Sequence, residues 1–234
     1  MFWTGLGIVI SLWATQYIWP TRNIPKLHQQ FSSLLDSIAL EFQSEIHLIQ
    51  GQPPNPSTFK DKQSNRIALQ QQLTAIRRQQ ADAQLELGAN PEHHPLHNLW
   101  SRLDLLASQL LSSLWTIRSL SIPSQKFKAG RELSLEEAEL IKILCSHIRK
   151  ISHELKNPKT ITQQELDPKL LREIKHSCLS TRQWIEQVSE QTIKANKNLI
   201  SQQQLRQLVV RNSLIDHIRS ALLETCSSAP RLSD

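Results

Sequence analysis

From residue 25 onward, apolar side chains recur every three or four positions, the spacing that places them on one face of an α-helix. The first stripe, Leu27, Phe31, Leu34, Ile38, Phe42, Ile46 and Ile49, predicts a helix over residues 25–49. Pro25 suits its first turn, where a missing N–H costs nothing. Gly51-Gln52-Pro53-Pro54-Asn55-Pro56 breaks the pattern, because three prolines do not continue a helix and each restricts the residue before it. A hairpin connection follows from that break. Residues 59–87 keep a thinner stripe, Ile67, Leu69, Leu73, Ile76, Ala83 and Leu87, and read as a largely exposed partner helix closed by Gly88.

After Asn90-Pro91-Glu92-His93-His94-Pro95 comes the most apolar of these segments, residues 96–121, bearing Leu99, Trp100, Leu103, Leu106, Leu110, Leu111, Leu114, Trp115 and Ile117. It is expected at the centre of a bundle. A basic loop, Lys126-Phe127-Lys128-Ala129-Gly130-Arg131, then precedes Ser134-Leu135-Glu136-Glu137, whose spacing is that of a capping box. A fourth helix is therefore expected to start at Ser134 and to run through Leu140, Ile141, Leu144, Ile148, Ile151 and Leu155 to Asn157-Pro158. Asp167-Pro168 reads as an N-cap and first-turn proline for a helix with Leu171, Ile174, Cys178, Trp184, Ile185 and Val188. Residues 201–225 make a last helix through Leu205, Leu208, Val209, Leu214, Ile218 and Leu222. No internal repeat stands out, and the helices read as one domain.

The N-terminal stretch obeys a different rule. Residues 1–21 carry no charged side chain, and Trp3 at one end with Tyr17 and Trp19 at the other bracket an apolar middle. At about 1.5 Å per residue, residues 2–19 reach about 26 Å, a short but adequate crossing of a hydrocarbon layer of about 30 Å. Trp and Tyr favour the headgroup level because their rings are apolar at one edge and hydrogen-bonding at the other. A secretory signal peptide would want a basic start and small residues before a cleavage point, whereas this segment ends Gln16-Tyr17-Ile18-Trp19-Pro20. Arg22 and Lys26 follow the span and no basic residue precedes it, so a single pass through the cell's inner membrane with the bulk of the chain cytoplasmic is expected. Gly5, Gly7, Ser11 and Thr15 are small enough to let another membrane helix approach closely.

Charge and composition narrow the remainder. The chain has 27 Lys and Arg against 21 Asp and Glu, a net charge of +6 that lies wholly beyond residue 21 and favours an anionic leaflet. Nucleic acid is not an expected partner, since no basic run exceeds Arg77-Arg78 and no basic stripe is interleaved with aromatics. Five glycines and one tyrosine in 234 residues leave little material for strands and turns. Cys145, Cys178 and Cys226, odd in number and far apart, read as reduced core residues.

Catalytic material is thin. His93, His94 and His97 lack the paired cysteines or the His-Glu-x-x-His spacing that fixes a metal, and His147 and His153 point to different faces of their helix. Cys178 and His176, two residues apart on a helix, do not face each other. Gly-rich phosphate loops are absent. No enzyme activity, cofactor or metal is expected.

Three segments carry a resemblance. Gly5-Leu6-Gly7-Ile8-Val9-Ile10-Ser11-Leu12, then Ile18-Trp19-Pro20-Thr21-Arg22, then Leu27-His28-Gln29-Gln30-Phe31 together resemble the end of a membrane half in the aromatic acid exporter, or fusaric acid resistance (FUSC-like), family. There a Gly-containing last span ends in an aromatic or aliphatic residue, Pro and a basic residue before a helical cytoplasmic domain. The resemblance covers about thirty residues and implies a transport system. Such exporters have about six spans per membrane half, and this chain supplies one; the expectation is the C-terminal piece of a split or truncated exporter, or a single-span protein sharing the junction.

The expected architecture is thus all-α: a transmembrane helix at 1–21, a cytoplasmic bundle of about six long helices within 22–230, and a tail at 231–234. The expected role is assembly or gating of an exporter-like system rather than catalysis, with the bilayer and either further copies or a multi-span protein as partners. The helices at 25–49 and 59–87 are expected to form a coiled-coil-like hairpin that couples subunits. The alternative is a single-pass anchored scaffold or signalling adaptor that uses Gln70-Gln71-Gln72 and Gln202-Gln203-Gln204 to bind soluble partners.

Overall fold

The computed structural model describes residues 23–49, 58–88, 90–120, 128–157, 159–160, 166–195 and 202–226. The proposed membrane segment 1–21, with Gly5, Gly7, Ser11 and Thr15, lies outside the described residues, as do the loop prolines of 53–56 and the tail. Among the described residues the protein is all-α: six long helices, α1 (Asn23–Ile49), α2 (Thr58–Gln84), α3 (Pro95–Ser119), α4 (Lys128–Leu155), α5 (Pro168–Ala195) and α6 (Gln202–Cys226), with 3₁₀ turns at Leu85–Leu87 and Pro91–His93 and no strand. None of these helices is long and apolar enough to cross a membrane.

Several ends follow local chemistry. α5 opens as expected, with Asp167 Oδ1 accepting from the Lys169 backbone N–H at 2.8 Å and Pro168 in the first turn. After α2 and its 3₁₀ turn, Gly88 takes φ +94°, a conformation that a side chain resists. The fourth helix departs from expectation. It begins at Lys128, so Gly130, Arg131 and Ser134 are helical and Ser134 is not an N-cap. The Glu137 carboxylate is taken by Arg211 of α6 instead of reaching back to cap its own helix.

Side-chain contacts set the topology. Glu41–Asn65 and Asn23–Glu86 make α1 and α2 antiparallel, and Arg77–Asp104 with Gln84–His97 does the same for α2 and α3. His28–Trp100 and Glu45–Arg118 make α1 and α3 parallel. His147–Ser177 and Lys150–Glu173 pair α4 with α5 head to tail. The chain runs up and down through six helices. α1, α3, α4 and α6 form a central square, α2 lies against α1 and α3, and α5 lies against α4 and α6. The α1–α2 hairpin exists, yet α1 packs most extensively on α4.

One core runs through the bundle. Every stripe residue of α1 is buried, as are Leu140, Ile141, Leu144, Ile148, Ile151 and Leu155 of α4. Trp100, Leu103 and Leu110 fill the α3 side of the square with no exposed surface. The centre is shared by α1, α3 and α4 rather than held by α3 alone, because α1 buries a second row, Leu35 and Ala39, beside its first. Two positions leave their stripes: Ile67 and Val209 are 51% and 47% exposed. Val188, Leu205 and Leu208 lie outside the described side chains.

Candidate functional site: a basic groove on the α1–α4 pair

Among the described residues, α2 and α5 cover two sides of the central square, and no other described helix covers the outer face of the α1–α4 pair. Along it runs a cavity of about 700 Å³. On α4 the residues facing outward recur at helical spacing, Lys142, Ser146, Arg149 and His153, with Lys150 beside them and Lys156 continuing the register just past the helix end. α1 contributes Asp36, Gln43 and His47, and Ile46 and Cys145 give the groove an apolar floor. An apolar cleft rimmed by a few convergent charges is the ordinary form of a binding site.

The rim is predominantly basic. Lys142, Arg149, Lys150 and Lys156 stand against two lining carboxylates, Asp36 and Glu139. Lys156 donates to Asp36 at 2.8 Å, Lys142 lies 3.4 Å from Glu139, and Lys150 pairs with Glu173 of α5. Arg149 donates to the neutral Gln43 amide oxygen. Burial pushes the Asp36 carboxyl up, but the hydrogen bond from Lys156 and the charges of Lys156 and Arg149 outweigh it and hold the group below its usual range. The Cys145 thiol is pushed up to about 12 by burial, which keeps it protonated on the groove floor at neutral pH.

Buried polar contacts hold the helices beneath this groove. The Trp100 indole N–H donates to His28 Nε2 at 3.0 Å, which leaves the ring proton on Nδ1 without a partner among the described residues. Burial lowers the His28 pKa to about 4. Ser152 Oγ donates to the Ser32 backbone carbonyl at 3.0 Å while the two hydroxyls lie 2.9 Å apart. Arg118 grips Glu45, Glu41 at 2.6 Å and Ser44 at 3.0 Å, and its guanidinium lies 4.9 Å from the Trp115 ring centroid. Arg211 donates to Glu137 at 2.6 and 2.9 Å and to the Ile117 carbonyl at 3.1 Å, with both charged side chains almost wholly buried.

Three of the histidines singled out in the sequence, His94, His97 and His147, make structural contacts. His94 Nδ1 accepts from the Leu96 N–H and caps α3, while His97 meets Gln84. His147 is buried against Ser177, and His153 faces the groove. Cys178 is buried while His176 is exposed, so the two do not meet. All three cysteines are buried and free. Among the described residues no three His, Cys, Asp or Glu are placed to hold a metal.

The groove escaped a reading of motifs, since no short motif encodes it. Its signal was present as the 142, 146, 149, 153 register on the polar face of α4, carried on to 156 just past its end. The chain matches no protein-family model and no curated protein.

Proposed function

We propose that this chain is a membrane-anchored helical component of an exporter-like transport system of the aromatic acid exporter type, contributing assembly or gating rather than catalysis. The observation that carries this reading is the position of α1. It starts at Asn23, directly after the uncharged stretch 1–21 and Arg22, and it is the helix that packs on α2, α3 and α4 together. Three buried polar contacts spaced along it, at His28, Ser32 and Glu45, fix its rotation and height against α3 and α4. A push or twist of the membrane segment is thereby passed to the whole bundle. Gly5, Gly7, Ser11 and Thr15 are small residues at which neighbouring spans would approach closely.

Carbonate-washed membranes blotted for the C-terminal part of the chain test the reading. A pellet band well above 26.9 kDa makes the chain part of a longer exporter polypeptide, and a pellet band near that mass makes it a separate anchored subunit. Recovery in the supernatant overturns the proposal. Gly5→Leu with Gly7→Leu is expected to weaken complex formation, and unchanged assembly counts against it. Gln70 and Gln71 are exposed on α2, which keeps an adaptor reading in play. Replacing residues 1–21 with an unrelated Leu-rich helix separates the two, because an adaptor keeps working and an exporter component does not.

A further inference from the structure

We propose that the α1–α4 groove is a docking surface for anionic phospholipid headgroups, so that the bundle lies with this face against the bilayer; the inference rests on the membrane-anchor reading above. Charge complementarity is the first argument. Four Lys and Arg side chains converge on a groove with two lining carboxylates and Glu173 beside Lys150, so cations outnumber carboxylates four to three, and Arg149 hydrogen-bonds the neutral Gln43 amide while its charge also acts on Asp36. The Lys142–Glu139 pair is 68% and 52% exposed, and ion pairs of that exposure contribute little, so a phosphate replaces the carboxylate at small cost.

The second argument is the apolar content of the same face. Leu40 falls between Asp36 and Gln43 on the outward side of α1 and is 60% exposed, and Ile46 and Cys145 floor the groove. A surface that offers cations above an apolar strip matches a phosphate above an acyl chain. Reach is the third. Asp36 lies thirteen residues along α1 from Asn23, about 20 Å of helix, so α1 laid along the leaflet brings the groove against it. Tethering supplies headgroups at high effective concentration, which no free acidic peptide shares.

The test uses the full chain reconstituted in phosphatidylcholine vesicles with and without phosphatidylglycerol. The native cysteines are buried, so Ser146→Cys, on the groove rim, takes a fluorophore selectively. Quenching by a headgroup spin-labelled lipid then reports docking. Strong quenching with phosphatidylglycerol, weak quenching without it, and loss of quenching in high salt are expected. Lys142→Gln with Arg149→Gln should lower the docking constant about thirty-fold, from two leaflet-facing charges. Glu139→Gln should raise it several-fold, a direction that misfolding does not produce. Quenching that ignores phosphatidylglycerol, or that these substitutions leave unchanged, overturns the proposal, and so does protection of the label by soluble polyglutamate in place of lipid. Carbonate extraction of the same vesicles reads the anchor separately, so failure of docking and failure of anchoring are distinguished.

Discussion

His28 shows how one side chain ties stability to pH. Burial holds its pKa near 4 against an ordinary 6.5, so between those values the unfolded chain takes up a proton that the folded chain refuses. Stability is therefore expected to fall as pH drops through that window, by roughly 3 kcal/mol at full effect, in urea titrations at a series of pH values. His28→Leu should flatten this dependence while costing about 1–3 kcal/mol at neutral pH, because the buried Trp100 N–H then lacks an acceptor. The Arg211–Glu137 pair makes a second prediction. Arg211→Met or Glu137→Leu alone strands a buried charge and should cost about 3–5 kcal/mol, whereas the double substitution should cost less than either. These residues were legible only in part. Arg211 stands in the same row as Ile215, Ile218 and Leu222, and Glu45 in that of Ile38, Phe42 and Ile49, so each marked a buried charge, but the row does not say which partner neutralises it. Partners come from other helices, 74 residues away for Arg211 and 73 for Glu45.

Helices were the most readable level, because burying an apolar stripe against any neighbour is enough to define one. The α1 and α4 stripes are buried throughout, and the Asp167-Pro168 start of α5 was visible from capping chemistry alone. Asp167→Ala is expected to cost about 1 kcal/mol in thermal unfolding, with the loss confined to the start of α5 in hydrogen exchange. Misreadings arose where tertiary contacts overrode local signals. The capping box at Ser134 is outcompeted by the pull of Arg211 on Glu137, and the helix extends back to Lys128. Ile67 and Val209 keep helical spacing yet face outward, since α2 and α6 are only partly covered by their neighbours. Nothing local announces that α1 pairs with α4 in preference to α2. That choice depends on the whole set of helix faces.

At the scale of the molecule, the α1–α4 seam is the contact on which the proposed coupling turns. Ser32 and Ser152 place their hydroxyls 2.9 Å apart, so Ser32→Cys with Ser152→Cys is expected to form an intramolecular disulfide on oxidation. Closing a loop of 120 residues should stabilise the fold by about 4–5 kcal/mol, read as a raised Tm that dithiothreitol reverses. Because the proposed coupling has α1 and α4 move as one body, the oxidised protein should keep its function; a loss that reduction restores would mean that α1 slides past α4 and would count against this coupling. The same seam has a bearing on biosynthesis. α1 is complete at Ile49, while Ser152 is made about a hundred residues later. At about 5–20 residues per second the ribosome needs roughly five to twenty seconds to supply the partner, and through that interval the nascent chain presents the α1 face destined for α4 with nothing to cover it. That exposure predicts a measurable difference: stalled chains ending before α4 should be far more protease-sensitive in α1 than chains ending after it.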